Sequence, residues 1–436
     1  MPILGNTASQ SGKTPGSPTI TSVTAGDASV SVAFSAPAYI GKGSATYTAV
    51  SSPGGFTNTG SSSPIVVSGL SNGTSYTFTI TASTNYGVSG AASATSDPAV
   101  PAAPVSQYVA VAHDVSPYVT TYPFTNASGF GSKFSDPATL PSMSVGHAVD
   151  FDPSNESIAI GGAYSISAYP WSSSGFGTKF TDPTTPNRYI TRLKIAPSGT
   201  FAVMSNYTSS PYMHGYAYSK TSGFGSKFSN PTTLPGDEVY GCDVSPNSTV
   251  MTVAGYTTGN SLNAYAVSSS GFGSRYASPS GVPDNCGGGV FNSSGNTVLV
   301  NSRNYDYMMA WAWSGSGWGS KYAGPAGNPN VWGLCSAFNR AGTVTAYGRQ
   351  SGSPLIDAWA WSSGFGSKYS APATIPSGSQ VGDISFNYND TAIVTMPNQS
   401  PWVEAYAWSN SSGFGTKYSN PATLPTGYSL NAKFSY

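Results

Sequence analysis

The stretch Ser128-Gly129-Phe130-Gly131-Ser132-Lys133-Phe134 returns six more times, led by Gly175, Gly223, Gly271, Gly317, Gly364 and Gly413. Successive copies stand 46, 48, 48, 46, 47 and 49 residues apart. A strand-rich unit of that length cannot hide its own apolar faces and must stack on its neighbours. Seven copies therefore predict seven stacked units.

The second repeat shows what each unit contains. His147-Ala148-Val149-Asp150-Phe151 is an inner strand, and Asp152-Pro153-Ser154-Asn155 a turn. Ser157-Ile158-Ala159-Ile160 forms the next strand and Ile166-Ser167-Ala168-Tyr169-Pro170-Trp171 the third. Gly175-Phe176-Gly177-Thr178-Lys179-Phe180 is the outermost. Four antiparallel strands per repeat is the blade of a β-propeller. The array opens at Tyr108-Val109-Ala110-Val111, a second strand with no first before it, and ends at Tyr428-Ser429-Leu430-Asn431-Ala432-Lys433-Phe434, a first strand with no blade after it. The two deficits match, so the C-terminal strand is expected to complete the first blade and close the ring without an exposed edge. The propeller is placed at 107–436.

Two aromatic patterns supply the core of such a ring. The pair four apart in each copy, Phe130 and Phe134 for instance, is expected on one sheet face, packed on the next blade. Third strands add Ala168-Tyr169-Pro170-Trp171, Ala310-Trp311-Ala312-Trp313, Ala358-Trp359-Ala360-Trp361 and related runs. Aromatics make up 13% of the chain against 8% charged residues, enough apolar burial to order a Gly/Ser-rich sequence. A basic residue precedes the second aromatic in all copies (Lys133, Lys179, Lys227, Arg275, Lys321, Lys368 and Lys417) and is expected to guard the outer edge.

Ahead of the propeller, residues 1–16 read as a polar arm for attachment and 101–106 as a Pro-rich linker. Between them, 17–100 alternate in short strands: Thr19-Ile20-Thr21-Ser22-Val23, Ser29-Val30-Ser31-Val32-Ala33-Phe34 and Ser75-Tyr76-Thr77-Phe78-Thr79-Ile80-Thr81-Ala82. With Gly69-Leu70-Ser71-Asn72-Gly73-Thr74 leading into the last of these, the segment resembles a fibronectin type III domain. That resemblance implies that Tyr76 is a corner tyrosine bonded to upstream backbone, with Phe34 in a core position where the family often has Trp.

Several chemistries lack their motifs. The 17 basic and 17 acidic residues are scattered, with no patch for nucleic acid. No run reaches the ~20 apolar residues of a membrane span, so no membrane insertion is expected. The Gly-Phe-Gly copies lack the third glycine and following helix of a phosphate loop. His113, His147 and His214 lack metal-ligand spacing, and Cys242, Cys286 and Cys335 read as small buried hydrophobes, so no cofactor is expected. Asp237, Glu238, Asp284 and Asp383, near inner-strand starts, are the candidates for a pair of glycosidic acids. A positive signal lies in the loops of one ring face, which carry Arg188, Tyr189, Tyr207, Tyr240, Tyr256, Arg303, Tyr305, Trp332, Arg349, Trp402 and Tyr428. Aromatics beside amides and hydroxyls suit stacking on a glycan or docking on a protein.

The arm, the fibronectin-like module and the charge-poor propeller together resemble virion appendage or decoration proteins of tailed bacteriophages. This resemblance implies a non-enzymatic virion protein, assembled in the host cytoplasm and extracellular when mature. Its arm and first domain would hold other virion proteins, with self-association possible, and its propeller would be displayed for host-surface or glycan adhesion. The alternatives are a bacterial surface or secreted adhesin and a glycan-active propeller enzyme.

Overall fold

The computed structural model describes residues 14–101, 107–184, 186, 188–256, 261–304, 306–328 and 330–436. Among them there are strands and turns and no helix. Two compact units emerge, described over 14–101 and 107–436.

In the first unit, alternation at period two folds into two three-stranded antiparallel sheets. One joins Thr19–Gly26, Ser29–Ser35 and Ile65–Ser68; the other joins Thr57–Gly60, Ala45–Ser52 and Thr77–Thr84. Their inward residues, among them Val30, Val32, Tyr47, Ile65, Phe78 and Ile80, form one buried core. The Tyr76 hydroxyl accepts the Ser71 N–H at 3.1 Å. The structure establishes this two-sheet arrangement, and the fibronectin type III identity itself is not shown.

The second unit contains seven four-stranded antiparallel sheets. Sheet one is composed of Ser429–Phe434, Gln107–His113, Val119–Thr125 and Gly129–Phe130, so the C-terminal strand does lie beside the first segment of the array. Ala432 faces Val111 and Phe434 faces Val109. Sheets two to seven begin with Gly146–Phe151, Ile190–Ile195, Val239–Val244, Cys286–Phe291, Gly333–Phe338 and Val381–Phe386. Each first strand lies against that of the next sheet, and Ser429–Phe434 lies between the seventh and the second. The sheets thus form a closed ring, the arrangement of a β-propeller.

A side-chain bond crosses every junction of this ring. Asp150 accepts the Ile195 N–H (2.9 Å), Thr191 donates to Val239 O (3.0 Å) and Asp243 accepts the Phe291 N–H (2.8 Å). Asn301 donates to Gly333 O (3.0 Å) and the Cys335 thiol to Val381 O (3.7 Å). Asp383 accepts the Ala432 N–H (3.2 Å), and Asn431 completes the circuit by accepting the Val149 N–H (2.8 Å).

Aromatic trios span five of the seven junctions further out. Trp361 stands between Tyr322 of the preceding sheet (5.1 Å) and Phe365 of its own (4.9 Å), both nearly edge-on. Trp313, Trp408 and Trp171 have equivalent partners, and at the seam Phe124 stands between Tyr418 and Phe130. This corrects the expectation for the repeat. Its first aromatic pins its own sheet and only the second reaches the next blade. The leading glycine is fixed by the same packing: Gly129 has φ of +75°, and a Cβ there would come within 2.8 Å of Tyr418. The recurring lysines are also less free than an edge guard. Lys133, Lys179, Lys321, Lys368 and Lys417 are paired with Asp136, Asp182, Asp306, Asp357 and Glu404.

Candidate functional site

The ring face where first strands begin is built by one repeated backbone device. In six sheets, the residue just after the second strand donates its N–H to the carbonyl just before the first strand. The pairs are Asp114 to Tyr428, Ala163 to Val145, Tyr256 to Glu238, Arg303 to Asn285, Gln350 to Trp332 and Asn398 to Gln380. A register shift at the second residue of each first strand then turns that end of the strand. Loop residues are thereby held side by side around the mouth of the ring.

On sheets two to six these residues form a continuous arc. The Tyr189 ring meets His147 at 4.4 Å, Tyr164 at 6.2 Å and Tyr207 at 5.1 Å. Tyr207 lies parallel to Tyr240 (5.6 Å, 6°), and Tyr240 meets Tyr256 at 4.3 Å. The Arg303 guanidinium caps the series, 4.8 Å from the Tyr256 ring, 5.6 Å from Tyr240 and 6.0 Å from Trp332. Tyr164 and Trp332, at the two ends, are exposed (59% and 45%), and the rings between are half-buried. The Tyr240 hydroxyl donates to Glu238 at 2.8 Å; burial first, then that carboxylate, hold its pKa above the ordinary phenol range.

Six of the sequence-derived candidates (Tyr189, Tyr207, Tyr240, Tyr256, Arg303 and Trp332) fall into this arc, with the Arg188 backbone carbonyl accepting the Tyr164 N–H at its start. Tyr305 lies outside the described residues. Arg349 does not belong to the face. It is buried and ion-paired with Asp357, which Lys368 also approaches at 2.7 Å, because a buried carboxylate on the neighbouring strand needs cations beside it. Trp402 is half-buried in a turn with φ of +60°, and the Tyr428 hydroxyl accepts from Gln380 at 3.1 Å; neither makes an aromatic contact with the arc. Tyr164 and His147 were missed as members. Tyr164 carried no repeat signal, and His147 stood out only as a metal candidate.

Two of the proposed acids are engaged by neighbouring side chains. Asp383 is buried on Asn431 and Lys433, and Glu238 serves Tyr240. Deeper in the channel Asp150 meets Lys194 at 3.3 Å, and burial raises the pKa of Asp150 and of Asp243. Among the described residues no cluster of three His, Cys, Asp or Glu could hold a metal. Burial pushes the Cys286 thiol up to about 12.

No protein-family model matches the sequence, and no curated protein is detectably similar to it. Solved structures do resemble the fold. One, from Bacteroides fragilis and described as a "putative 6-phosphogluconolactonase", superposes with a TM-score of 0.59 at 11% identity over 76% of this chain and 98% of that one. A Bacteroides uniformis protein of the same description gives 0.57 at 11% over 76% and 99%. A Lactobacillus plantarum protein gives 0.59 at 9% over 76% and 99%. At this identity the likeness concerns the fold alone. It nevertheless overturns the virion reading: two of these neighbours are described as 6-phosphogluconolactonases and none of the three as a phage appendage. Abundant Ser and Gly suit the turns of such a ring whatever its role, so they did not mark a virion protein. Nor do these neighbours, two of which bear an enzyme's name, support the expectation of a non-enzymatic chain.

Proposed function

We propose that the ring unit binds carbohydrate on the face where the first strands begin, with sugar rings stacked along the arc from Tyr164 to Trp332. The observation that carries this reading is the uneven use of a repeated position. After the second strands of sheets three, four and five stand Tyr207, Tyr256 and Arg303, whereas sheets one, two, six and seven have Asp114, Ala163, Gln350 and Asn398. The backbone rung is made alike by Asp114, Ala163, Tyr256, Arg303, Gln350 and Asn398, so it does not call for an aromatic or cationic side chain. Aromatic rings beside hydroxyl, amide and guanidinium groups supply the flat apolar surface and the donors that a sugar needs. The name borne by the Bacteroides neighbours concerns a phosphorylated sugar lactone, which agrees in ligand class. Binding is preferred to hydrolysis, because Glu238 and Asp383 are each committed to a separate partner. The test is a glycan array probed with the labelled protein and with Tyr207→Ala. Signals on a defined set of sugars that the variant loses are expected; the absence of any glycan signal above background would overturn the reading.

A further inference from the structure

At the centre of the same face sits a cation with no acid of its own. Arg192, third residue of its first strand, reaches across the channel: its Nη2 donates to Gly382 O on sheet seven at 3.4 Å and its Nη1 to Thr191 O at 3.0 Å. Among the described residues, no carboxylate comes within ion-pair distance of it. The channel's other cations do have partners, since Lys194 pairs with Asp150 and Lys433 with Asp383. Asp243 is held by the Phe291 N–H.

One further feature lies near the guanidinium. His147, whose pKa is depressed by burial first and then by the Arg192 charge, has a buried Nε2 with no hydrogen-bond partner. Among the described residues the guanidinium thus has no acid and the His147 Nε2 no partner, and His147 touches the first ring of the arc. A guanidinium bonded only to carbonyls gains most from a ligand oxyanion, because charge-assisted, forked bonds are the strongest it can make.

We infer that the carbohydrate bound here is anionic, its carboxylate or phosphate seated on Arg192 with His147 beside it. This rests on the carbohydrate reading above and adds the ligand's charge to it. Isothermal titration at pH 7.5 with D-glucose, D-glucuronate and D-glucose 6-phosphate tests it, on the wild-type protein and Arg192→Gln. The wild type should prefer a charged sugar over glucose by about tenfold or more, and the better of the two identifies the oxyanion. That ratio should fall to about one in Arg192→Gln. Equal affinity of charged and neutral sugars for the wild type, or a preference surviving in Arg192→Gln, overturns this inference while the carbohydrate reading stands. Failure of all three sugars to bind overturns both.

Discussion

The rings of Tyr207 and Tyr240, carried by adjacent sheets, lie parallel to within 6° with centroids 5.6 Å apart. Each belongs to a different repeat, and neither repeat alone presents more than one half of the pair. A surface assembled across sheet junctions depends on the ring staying closed, and the first two predictions concern that closure.

Trp361→Ala should lower stability by about 3–5 kcal/mol, the usual result of deleting a buried aromatic. The side chain is 4% exposed and holds both Tyr322 of the preceding sheet and Phe365. Urea denaturation followed by tryptophan fluorescence measures the change, and a loss below about 1 kcal/mol would contradict the role given to the trios.

Asn431→Ala should cost about 1–3 kcal/mol, because the buried Val149 N–H loses its acceptor at the seam and Asp383 loses a donor. Hydrogen exchange should quicken first at Val149 and along Ser429–Phe434. Uniform acceleration over all seven sheets would argue against a local closure.

Asp357→Asn should destabilise by about 3–5 kcal/mol, since it strands the buried Arg349 guanidinium. Replacing Arg349 by Met should lower the melting temperature and leave any sugar affinity intact, because that side chain lies away from the arc. Lost affinity with an unchanged melting temperature would restore Arg349 to the face.

Stability should decline on acidification from about pH 6.5. Burial holds His113 down to about 4, and burial together with Lys227 and Arg188 holds His214 down to about 3. Both are neutral in the folded chain at pH 5, whereas the unfolded chain takes up protons below its ordinary histidine pKa. Unfolding is therefore favoured progressively as pH falls from 6.5 to about 4. His214→Gln should show a shallower decline than the wild type over that window in denaturant melts. Identical slopes would mean that His214 does not titrate differently on folding.

The ring was legible in the sequence because Gly129, Gly175 and their later copies mark a backbone need at a fixed period. The closure was legible because Tyr108–Val111 and Leu430–Phe434 are complementary remnants. The junction bonds were not. Asp150, Thr191, Asp243, Asn301, Cys335, Asp383 and Asn431 are chemically unalike and share only a place beside the next sheet. Part of the arc could be read from aromatic residues in loops, yet the same rule admitted Arg349, whose partner Asp357 lies on a neighbouring strand. Arg192 escaped notice because its isolation is a property of the channel, and a sequence does not show which cations lack acids.

The central claim is that the aromatic arc holds sugar, and titration calorimetry of the wild type against Trp332→Ala tests it most directly, using the sugar that the array selects. Trp332 is exposed, so its removal should leave the melting temperature within a degree or two. Affinity should fall by about 1–3 kcal/mol, roughly 5- to 150-fold. Equal affinities for the two proteins would contradict the account.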